Sequence, residues 1–122
     1  MDGLKAGDLT IEVGETAAPA AISMTWRGKS NDRFPRRTLG PFFERVLGFA
    51  QIRRVPVAMH FGKLEHFNSS TITSVIELIQ EARSKAVPLV IHYDGKVSWQ
   101  KVTFEALRVF VKNDGLLELR AQ

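Results

Sequence analysis

The sequence contains no cysteine. Disulfide scaffolds, thiol chemistry and cysteine-ligated zinc or iron–sulfur centres are thereby excluded. It has no apolar run near the ~18–20 residues that a membrane-spanning helix requires. Met1-Asp2-Gly3-Leu4-Lys5 lacks the basic and apolar regions of a secretory signal, so the expected location is the cytoplasm. No internal repeat, linker or low-complexity stretch breaks the chain. The three histidines, His60, His66 and His92, show no HExxH or other paired ligand spacing, so no metal is expected. Gly28-Lys29-Ser30 ends like a phosphate-binding loop, but Ser23 stands where that loop needs its first glycine. Ser69 lies in no Gly-x-Ser-x-Gly elbow. The residues thus point to neither an enzyme nor a cofactor site.

What is present suits one soluble domain over residues 1–122. Hydrophobic residues make up 44% and charged residues 25%, enough to build a core and a solvated surface. The net charge is +4, unevenly spread. Between residues 27 and 54 stand Arg27, Lys29, Arg33, Arg36, Arg37, Arg45, Arg53 and Arg54, against only Asp32 and Glu44. Such a stretch attracts anionic partners. It lacks the interleaved exposed aromatics of a base-stacking surface, so nucleic acid is not the expected partner.

Leu9, Ile11 and Val13 alternate with polar residues, as do Ile22, Met24 and Trp26. The pattern predicts an antiparallel strand pair, with a turn at 14–19. Leu39, Phe42, Phe43, Val46 and Leu47 recur at helical spacing, predicting a helix over 38–50 capped by Thr38 and weakened at Gly48. Residues 55–61 read as a buried strand and 62–67 as a loop. A second helix is expected from Asn68-Ser69-Ser70 to about Lys85, with Ile72, Val75, Ile76 and Ile79 inward. Residues 88–93 form a nearly continuous apolar run, the pattern of a central parallel strand. A third helix over 98–112 would bury Trp99, Val102, Ala106, Val109 and Phe110, and a short strand at 116–119 would close the chain. The predicted class is α/β, a mixed sheet in the order β-β-α-β-α-β-α-β.

Ser69 and Ser70 stand where a helix begins. Free N–H groups and the helix dipole favour an added anion there, so phosphorylation would alter the surface and spare the fold. The run Val57-Ala58-Met59-His60-Phe61, then Leu64-Glu65-His66-Phe67-Asn68-Ser69-Ser70-Thr71-Ile72, then Ala82-Arg83-Ser84-Lys85 and Leu89-Val90-Ile91-His92, resembles the core of a STAS domain. This is the family of anti-sigma factor antagonists, and the likeness covers about residues 55–120.

The resemblance implies a STAS-like mixed β-sheet with helices mainly on one face. It also implies a non-catalytic, bacterial signalling module acting in transcription regulation through protein–protein interaction. Its expected partners are an anti-sigma factor that is also a serine kinase and a cognate phosphatase. Ser69 matches the phosphorylated serine, with Ser70 as second choice. Asn68, Ser69, Ser70, Thr71, Thr73 and Ser74, together with Arg33, Arg36 and Arg37, form the expected partner surface. Two positions depart from the family pattern: Asn68 stands in place of Asp, and Thr71 in place of Gly. The alternative is a constitutive STAS-like subunit of a membrane-associated assembly, such as a lipid-transport complex.

Overall fold

The computed structural model describes all 122 residues. The chain opens with three antiparallel strands, β1 (Leu4–Ala6), β2 (Leu9–Ala17) and β3 (Ala20–Ser30). Helix α1 (Arg36–Arg53) then leads to β4 (Val57–His60) and β5 (Leu64–Phe67). Helix α2 (Ser69–Ser84), β6 (Leu89–Tyr93), α3 (Ser98–Ala106), a 3-10 turn over Leu107–Phe110 and β7 (Leu117–Ala121) complete it. The main sheet runs in the order β1-β2-β3-β4-β6-β7, and β3, β4, β6 and β7 are parallel.

Each crossover steps one strand further in the same direction. Crossovers of one hand then place all their helices on one face of the sheet. The burial pattern agrees. Ile22, Met24, Trp26, Val57, Met59, Leu89, Ile91 and Leu117 are buried on the helix side. Their alternating neighbours Thr25, Arg27, His60, His92, Glu118 and Arg120 lie half-buried or exposed on the other. The core between sheet and helices is aromatic, with Phe61 against Trp26 at 4.9 Å and against Phe104 at 4.7 Å between ring centroids. Burying each such ring contributes about 1.5–3 kcal/mol.

The predicted element order holds, with two added strands. β1 is three residues long, too short to show a period. β5 was expected as a loop, because only Leu64 and Phe67 of its four residues turn inward. The β2–β3 hairpin also runs through residues 14–19 to a two-residue turn, in register from Leu9↔Gly28 to Ala17↔Ala20. That half of the hairpin is mostly solvent-exposed, so no apolar alternation announced it.

Helix α1 starts two residues before the expected Thr38. Pro35 occupies the cap position, and its carbonyl accepts from the N–H groups of Thr38 and Leu39. The third helix required a larger correction. It ends at Ala106, and of the face expected to be buried only Trp99 and Phe110 pack against the core, while Val102, Ala106 and Val109 are exposed. Val102 and Val109 are 72% and 77% exposed, while Gln100, Phe104 and Leu107 are buried. A polar residue in the inward stripe hid the true face. The Gln100 side chain donates to the carbonyls of Phe61 and Leu64 at 2.8 and 3.1 Å and accepts from the Asp94 N–H at 2.8 Å.

Near its end β3 changes partner. Ile22–Thr25 pair with β4, while Gly28–Ser30 pair with β5 across an irregularity at Gly28/Lys29. Gly28 has φ +84, and a Cβ there would lie 2.0 Å from the Asp8 carbonyl oxygen. This close approach explains the glycine of Gly28-Lys29-Ser30 without any phosphate. The sheet forks here, and the β5 branch carries the chain into α2.

Candidate functional site

The β5–α2 junction is built around Asn68. Its backbone is extended, at φ −86 and ψ 174, and its N–H donates to the Ser30 carbonyl at 3.0 Å. The side-chain oxygen caps α2 by accepting from the Thr71 N–H at 2.9 Å and from the Thr71 hydroxyl at 2.8 Å. The side-chain amide donates to the Asp32 carbonyl at 2.7 Å. One residue thus serves as acceptor toward the helix and donor toward the β3–α1 loop. A carboxylate has no N–H to offer the Asp32 carbonyl, which accounts physically for Asn in place of Asp.

Thr71 is equally well explained. Its side chain is fully buried, and its hydroxyl lies 2.7 Å from that of Ser30. A glycine would leave the Ser30 hydroxyl without this partner. Thr71 was expected on the partner surface, and so was Ser74. Both are buried, Ser74 at 5% exposure, so neither side chain reaches a docking partner. They support the site from beneath.

Ser69 is exposed at the first position of α2, and its hydroxyl makes no hydrogen bond within the chain. Ser70 is half-buried. Thr73 is exposed and donates to the Ser69 carbonyl at 3.2 Å. The first turn of α2 carries no acidic side chain, so its amide-rich end is open to an anion.

Arg33, Arg36 and Arg37 are all exposed, and the Asn68–Asp32 bond ties their loop to the start of α2. The Asp32 carboxylate accepts from the Phe34 N–H at 2.9 Å, a local turn that fixes the loop. Arg36 reaches Glu77 of α2 at 3.4 Å. Arg37 lies over the Phe34 ring at 5.8 Å, and neither it nor Arg33 enters an ion pair. Phe34 itself is 62% exposed. The basic stretch thus carries one exposed aromatic where none was expected, and a lone aromatic in a polar, arginine-rich loop was the available signal.

The histidines lie elsewhere. His60 and His92 are register neighbours on the open face of the sheet, with rings stacked at 4.5 Å. Burial lowers the pKa of both, and for His92 the neighbouring His60 and Arg120 lower it further. His66 is exposed on β5, paired in register with Lys29.

No protein-family model matches the chain, and no curated protein matches it. Solved structures do. SiaC of Pseudomonas aeruginosa is 20% identical with a TM-score of 0.61, covering 100% of this chain and 98% of that one. The complex of the diguanylate cyclase SiaD with its activator SiaC, from the same organism, matches at 19% identity and a TM-score of 0.61, covering 98% of each chain. An uncharacterised protein from Shewanella loihica with a SpoIIAA-like fold matches at 12% identity and a TM-score of 0.59, covering 98% of this chain and 93% of that one. The chain therefore has a SpoIIAA-like fold, the mixed sheet with helices on one face that the STAS resemblance implied.

Proposed function

We propose that this chain is a non-catalytic regulatory module of the cytoplasm that binds a signalling protein, and that phosphorylation of Ser69 switches the binding. The observation that carries the reading is the division of labour at the α2 start. Asn68, Thr71 and Ser30 hold the cap, while the Ser69 hydroxyl is exposed and unused. Transfer of a phosphoryl group from ATP to Ser69 Oγ, with release of ADP and a proton, leaves every cap bond in place. It adds close to two negative charges at a helix start that the Asn68–Asp32 bond ties to the arginine-bearing loop. A phosphatase reverses the step by hydrolysis to phosphate.

The STAS resemblance supports an anti-sigma factor with serine kinase activity as the partner, with a cognate phosphatase. The SiaC likeness supports another kind of signalling protein, since SiaC is the activator of a diguanylate cyclase. Ser70 is the less accessible serine and the second choice.

Affinity purification from the source cell, with phosphosite mapping, tests the proposal. Ser69→Ala and Ser69→Asp are run beside the native chain. A phosphate on Ser69 and a partner lost only with Ser69→Asp are expected. An unmodified Ser69, with identical partners in all three baits, overturns the switch and favours a constitutive subunit of a larger assembly.

A further inference from the structure

Helix α1 has two faces. Leu39, Phe42, Phe43, Val46, Leu47 and Ala50 are buried against the sheet. On the opposite side, Arg37, Pro41, Arg45, Gly48 and Ile52 recur at i, i+4, i+8, i+11 and i+15, one continuous seam. At 1.5 Å per residue the seam is about 22 Å long. Four of its five residues are exposed, and Ile52 is exposed at 80%.

Three features of the seam are unexplained by the chain's own packing. Gly48 is a poor helix former in the middle of a long helix. A Cβ at Gly48 would meet nothing within 4 Å, so no contact within the fold demands glycine there. Ile52 projects into solvent beside half-buried Phe49. Met1–Gly3 form the far wall of a shallow trough with Arg45, Gly48, Phe49 and Ile52. Finally, Arg37 and Arg45 enter no ion pair, yet each guanidinium is laid over a ring, Phe34 at 5.8 Å and Phe42 at 5.9 Å. Stacking on a ring leaves the N–H edges of a guanidinium free for a carboxylate. A held side chain also has less freedom to lose on binding.

We infer that this seam is the docking face for an acidic amphipathic helix of the protein partner. Carboxylates of that helix meet Arg37 and Arg45, its apolar side chains cover Ile52 and the edge of Phe49 left by the Arg53 guanidinium, which lies over that ring at 4.9 Å, and its backbone approaches most closely over Gly48. Charge complementarity sets the occupant. A second copy of this chain would set arginine against arginine. A membrane surface would need a broader apolar face than Phe49 and Ile52 provide. The acidic groups nearby leave the seam basic. Asp2 lines the trough, and Glu44 lies on the α2 side of the helix, in a groove with Glu77 and Glu81. The inference rests on the partner-binding reading above and extends its surface from Ser69, past Arg33 and Phe34, along α1.

The test is site-specific photocrosslinking in the source cell, with p-benzoylphenylalanine placed at Pro41 in the full chain and, as control, at Val90 on the open sheet face. Mass spectrometry reads the crosslinked species. The expected adduct from position 41 is a protein segment rich in Asp and Glu at helical spacing, absent from position 90. Gly48→Leu is expected to reduce that adduct at least tenfold while the melting temperature holds or rises. An adduct with lipid, nucleic acid or a second copy of this chain overturns the inference. So does an adduct no stronger than the control, or one unaffected by Gly48→Leu. Ser69→Asp is read in the same experiment. If it alone removes the adduct, the switch stands and the seam fails. If only Gly48→Leu removes it, the seam stands and the switch fails.

Discussion

Asn68 was legible only as one of three residues able to cap the helix, with Ser69 and Ser70. What the sequence could not show is its second bond, to a carbonyl 36 positions away at Asp32. Thr71 was misread for the same reason. Its partner Ser30 is 41 positions distant, on a strand whose pairing with β5 no local pattern announced. A hydroxyl residue in the first turn of a helix is usually solvated, and only the tertiary contact makes this one structural. The pair yields a measurable expectation. Thr71→Gly leaves the Ser30 hydroxyl short of a partner in a buried site and adds glycine's own cost, together about 2 kcal/mol. The urea midpoint should fall accordingly, with Thr71→Ser recovering more than half of the loss. A Thr71→Gly chain as stable as the native one would remove Thr71 from the support of the site.

Among the elements, the central strands and the extent of α2 were the most readable, although the buried face of α2 turns from Ile72 and Ile76 toward Thr71, Ser74, Leu78 and Ala82. α3 shows the opposite case. Its inward stripe of Gln100, Phe104 and Leu107 contains an amide, so the pattern favoured the face carrying Val102 and Val109. The strands β4 and β6 set a second expectation, in pH. Their stacked histidines bind protons less readily when folded than the ordinary value of 6.5. Below that value the unfolded chain takes up protons that the folded chain refuses, so stability rises with pH across this range. Their contribution is complete above pH 6.5 and is lost as pH falls through the folded values. The groups facing the pair are Thr25, Lys63, Gln122 and Arg120, with Glu118 opposing weakly. Glu105 and Asp114 act in a lower window. A hydrogen bond from Tyr93 holds the first below 4.5, and one from Arg83 holds the second below 3.8. Urea midpoints should therefore decline from pH 7.5 to 5 in the native chain, and His60→Gln with His92→Gln should flatten that decline. An equal slope in both chains would assign the pH dependence to other groups.

Across the whole molecule, the forked sheet gives the Asn68 cap and the stacked histidines separate supports. One branch of β3 holds β5 and the Asn68 cap, and the other holds β4, β6 and the stacked histidines. The fork was invisible in the sequence because it depends on a backbone irregularity at Gly28/Lys29 and on a short strand that reads as a loop. The Gln100 amide sits across the opening. It donates to the carbonyls at the β4–β5 turn and accepts from the N–H at the end of β6, as a peptide group of an inserted strand would. Gln100→Glu keeps the shape but sets a carboxylate against two carbonyl oxygens, a buried mismatch worth about 3 kcal/mol or more. Its expected signature is a lower urea midpoint together with faster amide exchange at Asn68 and Thr71, and unchanged exchange at Asn68 would show the branches to be independent. By this account a side chain does the work of a rung. Gln100 is one more tie on the ladder beneath Ser69, and a substitution on α3 that alters no surface charge would loosen the ground under the proposed docking site.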